Sequence, residues 1–160
     1  MEQHEINKKI YILHFMLQGI QLCLDLNIVK KVIPLVFIEK IPKSENYVVG
    51  VMNIGGKGVP VIDLALRLEL NRINIYSLDT PIILCQQGMY ETGIVVDKIL
   101  GIELIENDLL QTNQNFLDKH SAVSGVIHIN DELVLMLDAK MVLDKDVSIN
   151  NSVIMSHNLR

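Results

Sequence analysis

The chain repeats itself, and this constrains its fold more than any other feature. Gly50-Val-Met-Asn-Ile54 is matched 75 residues later by Gly125-Val-Ile-His-Ile129, and Val59-Pro-Val-Ile-Asp63 by Val134-Leu-Met-Leu-Asp138 at the same spacing. Each copy then runs into an apolar, helix-forming stretch. Upstream, Ile12, Leu26, Val29 and Val32 are matched by Ile82, Val96, Ile99 and Ile102 at a spacing of 70. The growth in spacing falls in the polar stretch after Ile105, where an insertion costs little because loop-closure entropy rises slowly with length. The chain therefore carries two copies of one supersecondary unit of about 70 residues each.

The unit is built of strands. Apolar residues recur every second position over Ile10–Leu17, over 22–28 and on through Val29–Pro34, over 47–54, 59–63, 81–85, 90–105, 125–129 and 132–137. Glycine-rich or Asn-Asp turns separate these runs: Gln18-Gly19, Gly55-Gly56-Lys57-Gly58, Gln86-Gln87-Gly88 and Asn130-Asp131. Asp63 and Asp138 stand at the same place in the two copies, each before a helix-forming run, and read as N-caps of short helices reaching to about residues 70 and 143. Residues 144–160 are polar apart from Val153-Ile-Met155 and are expected to form a frayed tail or one weakly docked helix.

A 70-residue all-β unit buries a marginal core by itself, so two of them should share apolar surface. Ile10–Leu17 suits that purpose because it is apolar on both faces: Ile10, Ile12 and Met16 on one, Tyr11, Leu13, Phe15 and Leu17 on the other. Short antiparallel strands usually close to hide their edges. The expected fold is all-β: two pseudo-symmetric small five-stranded β-barrels with short helices, sharing a central apolar seam within residues 10–143. The first barrel would span about 18–80 and the second about 10–17 and 81–143, with the extent of strand exchange open.

Composition excludes several functions. With hydrophobic residues at 49%, the chain can bury a core and is not intrinsically disordered. Lys plus Arg number 14 against 19 for Asp plus Glu, a net charge of −5, aromatics are 4% and Trp is absent. A nucleic-acid binder would need a basic patch or stacking aromatics. No apolar run is long enough for a membrane helix, and the polar start at Met1–Lys9 has no secretory signal, so a cytoplasmic location is expected. Cys23 and Cys85 stand alone in apolar stretches and read as buried free thiols.

Nor does any constellation point to catalysis or a metal. The histidines, His4, His14, His120, His128 and His157, are scattered through tails, a loop and strands. Asp63 and Asp138 are better explained as caps than as an acid–base pair. Gly55-Gly56-Lys57-Gly58 joins two strands and lacks Walker spacing, so it is a hairpin turn. Lys8-Lys9 and Lys30-Lys31 are isolated, solvated pairs. The chain is expected to have no enzymatic activity, no cofactor and no metal, and to act through protein-binding surfaces.

Three blocks carry a resemblance. Tyr47-Val-Val-Gly-Val-Met-Asn-Ile-Gly-Gly-Lys-Gly-Val-Pro-Val-Ile-Asp-Leu64, Thr92-Gly-Ile-Val-Val-Asp-Lys-Ile99, and Ser124-Gly-Val-Ile-His-Ile129 through Val134–Leu143 resemble the signatures of CheW-like domains, in that family's order. The resemblance covers about residues 10–143. It implies a pair of SH3-like or OB-like five-stranded barrels. It also implies a scaffold that joins the cytoplasmic tip of a methyl-accepting chemoreceptor to a CheA-type histidine kinase in membrane-associated arrays, without itself inserting into the membrane. On the same footing Thr80, Ile82, Gly93 and Gly125 match positions in or near the kinase face, and Val29, Val32, Gly50, Val51, Asn53 and Gly55 match the receptor-facing side. Two positions depart from the family: Gly55 stands where Arg is usual, and Lys31 where an acidic residue is common. Two other expectations stand beside the receptor–kinase adaptor: an accessory CheW-like paralogue in a pilus-motility or other non-flagellar system, and a small-ligand sensor with its pocket between the barrels.

Overall fold

A computed structural model describes residues 8–73, 75–106 and 122–143. The expected polar excursion over 106–120, apart from residue 106, and the expected tail or helix over 144–160 lie outside the described residues. The elements in chain order are β1 (Lys9–Leu17), β2 (Ile20–Asp25), β3 (Val29–Pro34), β4 (Val48–Ile54), β5 (Lys57–Asp63), α1 (Leu64–Arg67), β6 (Pro81–Gln87), β7 (Tyr90–Val95), β8 (Lys98–Glu106), β9 (Val123–Ile129), β10 (Glu132–Leu137) and α2 (Ala139–Val142). The described residues are all-β with two one-turn α-helices, and the second five strands and helix repeat the first five in order.

The strands form two five-stranded sheets, β8-β1-β2-β10-β9 and β3-β6-β7-β5-β4. Each sheet takes two strands from one copy of the repeat and three from the other. The exchange, whose extent the sequence leaves open, is therefore reciprocal, with β1 and β2 in one sheet and β6 and β7 in the other. Residues 20–25, expected with the first unit, pair with β1 and β10. Residues 81–95, expected with the second, pair with β3 and β5. Closed barrels were expected, but β8 and β9 end one sheet and β3 and β4 the other, so neither ladder is continuous.

Local chemistry explains the crossing. The alternation over 22–33 reads as one strand, yet it breaks at a 3-10 turn, Leu26–Ile28, because the Asp25 side chain accepts the Asn27 backbone N–H. That turn carries the chain from the first sheet into the second. In the second copy, Val96 and Asp97 occupy the equivalent place between β7 and β8. The helices are capped as expected: Asp63 accepts from Leu66 N at 3.2 Å, and Asp138 from Lys140 N at 2.9 Å. The β4–β5 and β9–β10 hairpins turn on Gly55-Gly56 and Asn130-Asp131, all four at positive φ, as a tight twisted hairpin requires.

Among the described residues three clusters make up the core. The largest lies between the sheets and joins Leu13, Phe15 and Leu17 of β1 and Leu22 and Leu24 of β2 to Ile83 and Cys85 of β6, Ile94 of β7, Leu64 of α1 and Val142 of α2. The opposite faces of the same strands fill the two sheet interiors: Ile12 and Cys23 with Ile105, Ile127, Val134 and Met136 in one, Ile82, Leu84 and Val95 with Met52, Val59 and Val61 in the other. The central strands are thus apolar on both faces because each belongs to an interior and to the seam.

Candidate interaction surfaces

Four of the six receptor-side residues cluster on the β4–β5 hairpin. Gly50, Val51, Asn53 and Gly55 lie along β4 and its turn, where the Asn53 Oδ1 accepts the Gly56 N–H at 2.9 Å. The segment after β3 folds back here, with Glu39 and Val51 exchanging both backbone hydrogen bonds at 2.8 Å. Gly50 makes this possible. A Cβ there would overlap the Glu39 carbonyl oxygen and approach Ile38 Cγ2 to 2.8 Å. A groove of about 430 Å³ results, lined by Val36, Phe37, Glu39, Val51, Asn53 and Lys57 among others, with Phe37 81% exposed at its rim. Val29 and Val32 are on β3, at the far end of that sheet's strand order. Val29 packs against the central cluster, whereas Val32 is 40% exposed.

The kinase-side residues divide differently. Ile82 and Gly93 are neighbours on β6 and β7 and both are buried. A Cβ on Gly93 would come within 2.9 Å of Ile82 Cγ2 and 2.8 Å of Met52 Cε. They shape a surface from beneath and offer no side chain to a partner. Thr80, partly exposed, closes a turn by accepting the Ser77 N–H at 2.8 Å. Gly125 is buried on β9 in the other sheet, opposite Met136.

Sequence reasoning missed an exposed apolar row on β8. Leu100, Ile102 and Leu104 point outward along this edge strand, and the exposed Tyr11 lies across from Leu104 on β1. Rows of this kind on a rigid sheet mark protein contacts. The repeat held the clue: Ile102 is the counterpart of Val32, whose neighbours Lys30 and Lys31 mark a solvated face.

It also missed a buried polar junction between the sheets. Asp63 accepts hydrogen bonds from the Arg72 guanidinium and the Tyr76 hydroxyl besides capping α1. Arg72 reaches on to Asp97 at 3.3 Å, and Asp97 also accepts from the Gln18 backbone N–H at 2.5 Å. Burial and Asp63 push the Tyr76 phenol upward, and the Arg72 guanidinium is raised by its hydrogen bond to Asp63 despite its partial desolvation. Among the described residues, the repeat-equivalent Asp138 side chain makes only the cap.

These groups do not assemble into reactive chemistry. Burial pushes both thiols, Cys23 and Cys85, up to about 12, so neither is a thiolate nucleophile near neutrality. Among the described residues no group of three His, Cys, Asp or Glu side chains is placed to hold a metal ion. His14 is buried, with its Nε2 2.8 Å from Gln21 Oε1, and His128 is exposed. Among the described residues no helix is long and apolar enough to cross a membrane.

The family model of the CheW-like domain matches residues 11–147. The chain is 30% identical over 142 residues to the chemotaxis protein CheW of Thermotoga maritima, covering 86% of this chain and 90% of that protein. It is 29% identical over 136 residues to the chemotaxis protein CheW of Bacillus subtilis, covering 84% and 86%. Its fold is similar to the crystal structure of the scaffolding protein TtCheW from Thermoanaerobacter tengcongensis, with a TM-score of 0.77, 23% identity, and 90% and 94% of the two chains covered.

Proposed function

The chain belongs to the CheW-like domain family, and on that footing we propose that it is a non-enzymatic adaptor of a bacterial chemosensory system, acting in the cytoplasm and coupling chemoreceptors to a CheA-type histidine kinase at membrane-associated arrays. The observation that carries this reading is the family match over nearly the whole chain, made by relatives that are named as chemotaxis proteins. The geometry supports it. The molecule offers apolar surfaces on rigid strands, so little order is lost on association. The seam, where a small-ligand sensor would need its cavity, is filled by Phe15, Leu17, Leu24, Ile62, Ile83 and Ile94.

On this reading the β4–β5 hairpin with its groove, together with Val32 and the row Ile102–Leu104, faces the receptor. The kinase docks near Thr80, on a surface shaped from beneath by Ile82 and Gly93; Gly125 supports the other sheet. The test is a pair of titrations, one with the kinase regulatory domain and one with a receptor-tip fragment, each repeated with the other partner saturating. Simultaneous binding is expected. Mutually exclusive binding, or no binding of either, would refute the adaptor reading. Ile102→Ser should weaken the receptor arm alone. Gly55→Arg, which restores the family's usual charge where space is open but φ is +58°, should strengthen it while costing about 1 kcal/mol of stability.

A further inference from the structure

We propose that the strap joining the two copies of the repeat, formed by residues 72–73 and 75–78, is a preformed docking ridge for a partner protein that presents an aliphatic face edged with Lys or Arg. Arg72 and Tyr76 of the strap turn inward, whereas Ile73, Ile75 and Leu78 point outward. Arg72 is held by Asp63 and Asp97, Tyr76 by Asp63, and the Ile73 backbone N–H by Gln18 Oε1 at 3.0 Å. The Ser77–Thr80 turn closes its far end. Between these anchors Ile73, Ile75 and Leu78 are 82%, 94% and 84% exposed.

A flexible linker would normally be polar, and a folded chain would normally bury three large aliphatic side chains. Here a buried ion-pair network fixes the backbone so that they project. Pinning the ridge before binding removes the ordering cost that a loose loop would incur on association. The exposure of three neighbouring side chains of this size is that of a contact patch.

Charge chooses the occupant. From Leu68 to Thr80 the one cation is Arg72, which is turned inward, and the flanking charges Glu69 and Asp79 are both acidic and exposed. Glu69 further shares a depression with Glu45 and with Arg67, whose guanidinium donates to the Met141 carbonyl at 2.8 Å and leaves the two carboxylates as the outward charges. A second copy of this chain would bring acidic edges together, and an anionic membrane would be repelled. A partner with a basic edge gains on both counts. The ridge is separate from the hairpin groove and from the β8 row and borders the Thr80 surface at its far end, and the inference does not depend on the adaptor reading.

The probe is a 14-residue model helix with Leu at i, i+3, i+4 and i+7 spacing and Lys elsewhere, beside a matched peptide with Glu for Lys. Binding to the full chain is followed by methyl NMR. The Lys peptide should shift the Ile73, Ile75 and Leu78 methyls and leave those of Ile102 and Leu104 in place. The triple variant Ile73→Ser, Ile75→Ser, Leu78→Ser should weaken binding at least about tenfold, as loss of a clustered apolar anchor does. Arg72→Met and, as a gentler cut, Asp97→Asn remove no contact with the peptide yet should each weaken it roughly threefold by loosening the strap. The proposal is overturned if the ridge methyls do not move at saturation, if the triple variant binds as the wild type does, or if the Glu peptide binds equally well. It is likewise overturned if the same methyls shift with protein concentration alone or with phosphatidylglycerol vesicles.

Discussion

Reciprocal exchange makes a strong claim about cooperativity. Neither sheet can form from one copy of the repeat: the first needs β1 and β2 with β8–β10, the second β6 and β7 with β3–β5. Phe15 is fully buried in the cluster between them. Phe15→Ala should therefore destabilise the whole chain by about 3–5 kcal/mol, the usual cost of removing a buried ring. That is a large part of the roughly 5–15 kcal/mol by which a domain is stable. Ile127→Val, confined to the interior of the first sheet, should cost about 1 kcal/mol. Because Trp is absent, single reporters can be placed at Leu133→Trp on the first sheet and Tyr90→Trp on the second, both exposed positions. In urea both reporters should give one midpoint, shifted equally by either core variant even though Ile127 touches one sheet only. Separate midpoints, or a shift confined to the Leu133→Trp reporter, would show that the sheets unfold independently and would refute the argument.

Glu69 ends α1 at a φ of 59°, an unfavourable conformation for a residue with a side chain, so Glu69→Gly should raise stability by roughly 0.5–1 kcal/mol in the same urea assay. Gly93→Asp would press a charge between Ile82 and Met52 and should cost more than about 3 kcal/mol, so that circular dichroism shows loss of fold wherever kinase binding is lost. Gly93→Ala, strained but uncharged, should stay folded and separate the two effects. The two thiols are raised from 9.0 to about 12 in the folded chain, so between those pH values the folded state holds protons that the unfolded state has released. Stability should be intact below pH 9 and fall as pH rises toward 12, and Cys23→Ala with Cys85→Ala should flatten that fall in urea titrations at stepped pH.

The repeat, the caps at Asp63 and Asp138 and the two-faced β1 were legible in the sequence because they depend on residue type and period alone. Strand membership was not. Alternation says which face of a strand is buried but not which strand lies beside it, and the pattern runs through Leu26–Ile28 although the Asp25 side chain breaks the strand there. Ile82 and Gly93, matched by resemblance to positions in or near the kinase face, lie inside the second sheet's core, and their burial was not legible because an apolar strand residue looks the same in either place. The β8 row was hidden for the converse reason: Leu100, Ile102 and Leu104 share a strand with the buried Ile105 and read as core. Arg72 and Tyr76 carried no local signal because their partners, Asp63 and Asp97, are brought to them only by the crossing of the sheets.

That crossing also bears on how an adaptor can work. Two domains joined by one linker would let their binding faces drift. Here each of these faces rests on both halves of the chain: the hairpin groove stands on β4 and β5, of which β5 pairs with β7 of the second copy, and the β8 row stands on an edge pairing with β1 of the first. The side chains between the sheets are shared in the same way, with Phe15 and Leu24 against Ile83 and Ile94. A close-packed interior has few intermediate arrangements. Partners bound on separate faces would then be held at a fixed separation and angle, and a displacement imposed on one sheet would be resisted by the whole core rather than absorbed at a hinge. For a protein whose proposed work is to join two others, the exchange itself is the mechanical element, and Arg72, bonded to Asp63 and Asp97 across the junction, is the polar bond that reinforces it.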